Sequence, residues 1–379
     1  MVDPERRSGR ACNVLLVGGG TGGHVSPLLA VAEALSETDP EIRFLFIGGR
    51  RGHEAELVAG SGIPFHATVM PSLRDPDSRF SLLTRAALMP VATADAFAQI
   101  LRFKPDVCFT TGGVASLPAA LAARLARVPV YIWEGNAVPG RVNRLLAGWS
   151  QRIGATFEAS LRVLPRGRTF VDGNPIRRSL LRWTRESGRE KLGIPNDGPV
   201  VFVTGGSQGS AAINHAVAGA ITRLLRRAIV IHHTGNAHLA QVTAKRDTLP
   251  PDIRERYLVY GFLRDEMGAA LAASDLVVGR ASSSSIAEPL AFGVPLILVP
   301  FAAAAEAHQM ANAQDIAEKG AAIVIRESQL DADRLVAQVT GLLDDPTRLA
   351  RMARAARAAG RPDAATAIAA ELRKLGRCR

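Results

Sequence analysis

The sequence predicts an α/β protein made of two doubly wound units, and three observations lead there. The first is the apolar strand Val14-Leu15-Leu16-Val17, which runs through Gly18-Gly19-Gly20-Thr21-Gly22-Gly23 into a helix opening at His24-Val25-Ser26-Pro27. The second is the return of that device at Val200-Val201-Phe202-Val203-Thr204, followed by Gly205-Gly206-Ser207-Gln208-Gly209 and another helix. The third is the alternation of β-type runs with alanine- and leucine-rich helical stretches, the pattern of a parallel sheet covered by helices.

In order along the chain, β-type runs lie at 13–17, 43–47, 107–110 and 128–133, and a second series at 200–204, 228–232, 257–260, 276–278 and 295–299. Between the series stand Gly173-Asn174-Pro175-Ile176-Arg177-Arg178 and the polar, glycine-bearing stretch 183–197, which read as a connection. The expected organisation is therefore 1–175, 176–345 and a helical tail, 346–379, that crosses back onto the first domain. A length of 379 residues suits two hydrophobic cores.

Composition narrows the function. Cys12, Cys108 and Cys378 are too few and too scattered for a disulfide framework or a thiolate zinc site, which fits a reducing, cytoplasmic compartment. Arg6, Arg7 and Arg10 precede the first strand without the apolar stretch of a signal peptide, and no apolar run approaches a membrane span. The net charge of +11 comes nearly all from arginines dispersed through helices without interleaved aromatics, which argues against nucleic acid. It suits diphosphates or an anionic membrane face equally.

Glycines after a strand let backbone N–H groups approach an anion, and the following helix directs its positive end at the same point. Gly18, Gly20 and Gly23 also match the dinucleotide spacing, but the second strand ends Ile47-Gly48-Gly49-Arg50-Arg51, without the acid that NAD requires. A third glycine segment, Thr110-Thr111-Gly112-Gly113-Val114-Ala115-Ser116, is either a second anion cradle in the same half or a tight turn. His24 is either a proton acceptor or a structural donor. No Asp-x-Asp cluster accompanies these loops, so no metal is expected.

Taken together these segments resemble the MurG family of glycosyltransferases. The resemblance rests on Gly19-Gly20-Thr21-Gly22-Gly23-His24, Gly112-Gly113, Glu134-Gly135-Asn136-Ala137-Val138-Pro139-Gly140, Gly173-Asn174-Pro175-Ile176-Arg177 and Gly205-Gly206-Ser207-Gln208-Gly209. Ala287-Glu288, Gly293-Val294-Pro295, Val299-Pro300-Phe301 and His308-Gln309 with Asn312 complete it. It implies the GT-B architecture, two Rossmann-like domains separated by a cleft. It also implies transfer of N-acetylglucosamine from UDP-N-acetylglucosamine to undecaprenyl-diphosphate-muramyl-pentapeptide, lipid I, giving lipid II for peptidoglycan.

By that resemblance the first domain takes the acceptor diphosphate at Gly20, Thr21, Gly22, Gly23, Gly112, Gly113 and Ser116. The second takes the donor, with Ser207 and Gln208 at the UDP diphosphate, Arg177 adding a cation, Glu288 on the ribose and Leu263 against the uracil. Asn136 and Gln309 contact the sugar, while Ser283, Ser284 and Ser285 and the Thr21–Gly23 loop also face the donor. His24 is the leading candidate base in a direct, inverting displacement, with Glu134 the second. Residues 79–104, with Phe80, Leu82, Leu83 and Arg85, are either a membrane contact at the cytoplasmic face or a core helix. A cell-wall or division complex would be the protein partner.

Two features depart from the family pattern. Trp133 and Gly135 replace a histidine and a glutamine around Glu134, and Ala281-Ser282-Ser283-Ser284-Ser285 replaces a glycine-containing loop after Arg280. They keep two alternatives in view: a UDP-N-acetylglucosamine 2-epimerase and a sugar-nucleotide-binding module without catalysis.

Overall fold

A computed structural model of the chain describes residues 11–19, 22–49, 54–68, 82–302 and 308–378. They form two compact units. The first holds the chain up to Gly135, then Pro139–Arg177 and the segment from Asp363 onward; the second holds Asn136–Val138 and Arg178–Pro362.

The first unit contains β1 (Asn13–Val17), β2 (Arg43–Gly49), β3 (Phe65–Thr68), β4 (Val107–Thr110), β5 (Val130–Glu134), β6 (Arg152–Ala155) and β7 (Thr169–Val171). They pair in the order β3-β2-β1-β4-β5-β6-β7, all parallel. Every residue of β1 is buried, because helices cover both faces of a parallel sheet. Alternation of side chains splits the strand between two cores. Val14 and Leu16 pack with the helix Gly22–Thr38 and with Ala365, Ile368 and Leu372 of the helix Ala364–Gly376. Leu15 and Val17 pack with Ala96 and Ile100 of the helix Leu82–Phe103 and with Ala119 and Ala123 of the helix Leu117–Leu125.

The second unit contains β8 (Val200–Thr204), β9 (Ile229–His233), β10 (Tyr257–Tyr260), β11 (Leu276–Gly279), β12 (Leu296–Leu298) and β13 (Ala322–Val324). Their order is β10-β9-β8-β11-β12-β13, again parallel. Strands β3, β6, β7 and β13 are not among the runs read from the sequence. Each is three or four residues long, and all but β6 lie at a sheet edge.

The C-terminal segment divides. Asp345 accepts the Arg348 N–H and Pro346 occupies the first turn, starting a helix, Pro346–Ala359, that stays with the second unit. Gly360 ends it, packed so tightly on the Leu290 carbonyl that no Cβ fits. The chain then joins the first unit at Asp363, and Ala364–Gly376 buries Ile368 and Leu372 completely. Full burial of two such side chains is worth about 3–6 kcal/mol. This packing also corrects the reading of the cysteines: Cys12, just before β1, and Cys378, just after the last helix, form a disulfide across 366 residues. Sequence distance concealed a pairing that the returning helix creates. Cys108 is buried and unpaired.

A buried histidine gives the second unit a pH-dependent stability. His232 Nδ1 accepts from Tyr257 Oη at 2.7 Å and Nε2 donates to Asn214 Oδ1 at 3.0 Å, while Asn214 Nδ2 donates to the Thr234 carbonyl. Burial, with a smaller contribution from neighbouring His233, pushes the imidazole down to about 3. The unfolded chain takes up a proton near 6.5 that the fold refuses. Stability therefore falls as pH drops below the ordinary histidine range, by about 1.4 kcal/mol per pH unit from this group. Urea unfolding between pH 6.5 and 4 should show that slope, and His232→Asn should flatten it.

Candidate functional site

In each sheet the strand order reverses direction between two neighbours, β1 and β4 in the first unit and β8 and β11 in the second. Loops leaving the carboxyl ends of such neighbours diverge and open a crevice, the place where parallel sheets bind ligands. All three glycine segments read from the sequence leave strands at these points.

In the first unit the β1 and β4 loops are tied together. His24 Nδ1 lies 3.1 Å from the Thr111 carbonyl oxygen, and Thr111 Oγ1 donates to the His24 carbonyl at 2.8 Å. A carbonyl only accepts, so Nδ1 carries the hydrogen and Nε2 is the basic nitrogen of the neutral ring. Gly112 and Gly113 have φ of +77° and +90°. A Cβ on Gly113 would stand 2.7 Å from the Gly19 carbonyl oxygen and 4.0 Å from His24 Nε2. The β4 loop is thus a tight turn laid against the β1 loop, with the imidazole beside it. Ser116 is buried and its hydroxyl donates to the Gly113 carbonyl at 2.7 Å, which fixes the turn. Gly22 opens its helix and Gly23 is exposed; Gly20 and Thr21 lie outside the described residues.

Glu134 ends β5 buried, its Oε2 accepting from Gly140 N and Asn143 Nδ2, both at 2.9 Å. It thereby holds Gly140, the residue before the helix Arg141–Ala147, and Asn143 within that helix. Asn143, which the sequence reading passed over, also donates to the Trp133 carbonyl at 3.2 Å. Its amide fills the space where a Cβ of Gly112 would stand, which links Glu134 to the β4 loop. Trp133 faces the opposite side of β5, buried in the core, and its indole N–H donates to the Gly173 carbonyl at 2.8 Å. The departure at that position therefore anchors the segment that ends in Arg177, the exposed last residue of this stretch.

In the second unit the loops after β8, β9 and β10 are nested. Gly206, with φ +85°, donates to Thr204 Oγ1 at 3.1 Å, and Gly209, with φ +79°, donates to the Gly206 carbonyl at 2.8 Å. Gly209 is pressed against the Thr234 carbonyl, and Thr234 N donates to the Tyr260 carbonyl at 2.9 Å. Ser207 and Gln208 are left exposed at the tip, and Leu263 is buried below its exposed neighbour Phe262. Ser210 caps the helix Ala211–Leu225 and accepts from Arg280 at 2.7 Å. Arg280, another residue not singled out from the sequence, pairs with Glu327 at 2.6 Å and lies over Phe301.

The serine run after β11 makes an ordinary helix start. Ser282 has φ −72°, its Oγ accepts the Ser285 N–H, and the helix Ser283–Ala291 follows, with Glu288 one turn beyond Ser284 on the same face. Glycine is not required there. Gln309 Oε1 accepts from Ala281 N at 3.2 Å and Phe301 N at 2.9 Å, leaving its NH₂ group to donate. Buried Asn312 accepts from Ala137 N at 2.8 Å and donates to Asn136 Oδ1 at 3.2 Å and to the Ala281 carbonyl at 3.1 Å. Asn136 accordingly stands with the second unit, beside the β11 loop.

Phe80 lies outside the described residues, and only the helical backbone is described at Leu82, Leu83 and Arg85. Farther along that helix Ala92, Ala96 and Ile100 are buried while Val91 and Leu101 are exposed, so one face is core and the other is not. Among the described residues no group of three or more His, Cys, Asp or Glu is placed to hold a metal ion, and no helix is long and apolar enough to cross a membrane.

The Gly113 geometry can be tested against a neutral control. Gly167 has φ +81° but open space at its Cβ position, so alanine there should cost only backbone strain, about 1 kcal/mol. Gly113→Ala should cost about 2–4 kcal/mol, since the Gly19 carbonyl must also shift. Parallel urea titrations of the two variants measure the difference.

Comparison with known proteins agrees with this layout. Residues 14–155 match the glycosyltransferase family 28 N-terminal domain and residues 200–368 its C-terminal domain. The UDP-N-acetylglucosamine–N-acetylmuramyl-(pentapeptide) pyrophosphoryl-undecaprenol N-acetylglucosamine transferase of Desulforudis audaxviator is 36% identical over 373 residues, covering 96% of this chain and 98% of that protein. The transferase of the same name from Moorella thermoacetica is 38% identical over 368 residues, covering 94% and 96%. The crystal structure of Acinetobacter baumannii MurG superposes with a TM-score of 0.77 at 26% identity, covering 96% and 99%. A UDP-GlcNAc 2-epimerase from Neisseria meningitidis shares the fold, with a TM-score of 0.64 at 16% identity, covering 96% and 100%. The two Rossmann-like units and these full-length relationships establish that the chain belongs to glycosyltransferase family 28.

Proposed function

We propose that this protein moves N-acetylglucosamine from UDP-N-acetylglucosamine to the muramyl sugar of lipid I, giving lipid II. The observation that carries the reading is the point between β1 and β4 where the strand order reverses, at which a histidine held by Thr111 stands beside two interlocked glycine loops. A full-length likeness of 33–38% to transferases named for this reaction supports it. The epimerase shares only the fold, at 16% identity. The well-formed serine-run helix start and the core position of Trp133 leave the catalytically silent alternative without its original motive.

In this reading the acceptor hydroxyl oxygen bonds to the anomeric carbon as the bond from that carbon to the UDP diphosphate breaks, so the α configuration inverts to β. The hydroxyl proton passes to His24 Nε2. Thr111 orients the ring through Nδ1–H and stabilises the imidazolium that forms. Glu134, whose Oε2 accepts two hydrogen bonds, acts as a positioning group. The departing diphosphate meets the N–H groups of the Gly205–Gly209 loop, the start of the helix Ala211–Leu225, Ser207, Gln208 and Arg177; these supply the positive potential without a metal. Glu288 accepts from the ribose hydroxyls, the Gln309 amide and Asn136 meet the sugar, Ser283, Ser284 and Ser285 line the donor loop, and Leu263 lies against the uracil. Gly22, Gly23, Gly112, Gly113 and Ser116 frame the acceptor diphosphate. The exposed face of the helix Leu82–Phe103 meets an anionic membrane at its cytoplasmic side, within reach of cell-wall or division proteins.

The test is transfer of radiolabelled N-acetylglucosamine to a lipid I analogue with a shortened prenyl chain, with donor-only controls. Acceptor-dependent product is expected, with Glu288→Ala losing most of it through weaker donor binding. His24→Ala should lower turnover about 10²- to 10⁴-fold while UDP still binds; near-normal turnover would remove the histidine from its role. Donor isomerised without acceptor would favour the epimerase.

A further inference from the structure

His233, the last residue of β9, is buried next to His232 but differs from it in one respect. Both ring nitrogens of His232 are hydrogen-bonded, whereas His233 Nε2 is buried with no hydrogen-bond partner. The other nitrogen, Nδ1, lies 3.2 Å from Thr204 Oγ1. That hydroxyl oxygen accepts the Gly206 N–H and keeps its own hydrogen to give. Where that hydrogen goes to Nδ1, the neutral ring carries its proton on Nε2. Burial lowers the basicity of His233 and keeps it neutral. Nε2 is then a buried N–H donor without a partner, a feature folded proteins seldom leave unexplained.

Sheet order locates this donor. β9 lies between β8, whose loop carries Ser207 and Gln208, and β10, whose following loop carries Phe262 and Leu263. A nucleotide with its diphosphate at the first loop and its base at the second spans the carboxyl end of β9. Phe262, 46% exposed, meets the His233 ring with the two rings near perpendicular and their centroids 5.7 Å apart.

We propose that His233 is a specificity-determining residue for the donor nucleotide: its Nδ1 accepts the Thr204 hydroxyl hydrogen and its Nε2–H donates to the C4 carbonyl oxygen of the uracil ring, with Phe262 moving aside to admit it. This rests on the donor reading above. Uracil presents carbonyls on both sides of N3, whereas cytosine replaces one with an amino donor that an N–H group rejects.

Calorimetry with the full chain provides the test. Wild-type protein should bind UDP more tightly than CDP. His233→Phe should lose UDP affinity by about five- to fiftyfold and lose the preference, and His233→Gln, which keeps a side-chain N–H, should recover part of both. In transfer assays His233→Phe should raise KM for UDP-N-acetylglucosamine with kcat within about twofold. The ¹⁵N resonance of Nε2 in wild-type protein should shift when UDP is added, a readout that needs no variant. Wild-type UDP binding with an unshifted Nε2, or His233→Phe with unchanged affinity and preference, overturns this proposal alone. Equal losses in the Phe and Gln variants also overturn it. A wild-type chain that binds neither UDP nor CDP overturns the donor reading as well.

Discussion

The paired hydrogen bonds between His24 and Thr111 hold the two glycine loops of the first unit at a set separation, and the geometry of both loops follows from them. One bond orients the imidazole, the other ties the start of the helix Gly22–Thr38 to the end of β4. With the loops so held, only glycine fits at 113, because the Gly19 carbonyl occupies the space a side chain would need. Ser116 and Asn143 then secure the same turn from its far side and from Gly112. The imidazole and both glycine loops are thereby held by one set of contacts, so disturbing either loop should disturb both.

The second unit reaches a comparable result by other means. Its loops are nested through backbone contacts, Gly209 on Thr234 and Thr234 on Tyr260, while Arg280 links the helix start at Ser210 to Glu327. Ser207 and Gln208 project from a rigid base. Because the serine run adopts an extended N-cap followed by α-helix, its Cβ atoms carry no penalty. A capped helix start directs its N–H groups at one point as a glycine loop does.

Much of this was legible in the sequence, for reasons that particular residues make plain. Strands such as Val14-Leu15-Leu16-Val17 are buried on both faces, so they read as unbroken apolar runs. The glycine segments are visible because positive φ leaves few other choices. The edge strands β3, β7 and β13 are too short to produce a run. The contacts of Asn143 and Arg280 were not legible, because each acts through polar partners apart in sequence: Arg280, for example, joins Ser210 to Glu327. The same blindness hid the Cys12–Cys378 disulfide.

That disulfide bears on where the protein can work. A cytoplasmic thiol pool would hold Cys12 and Cys378 mostly reduced, yet the helix that brings them together does not depend on the bond. Ile368 and Leu372 are fully buried and Ala365 and Ala369 nearly so, against the same core as Val14 and Leu16. Arg152 adds a polar link, pairing with Glu371 on that helix as well as with Asp172. Apolar burial therefore docks the C-terminal helix in either redox state, and the disulfide, when formed, restrains the unfolded chain more than it shapes the folded one.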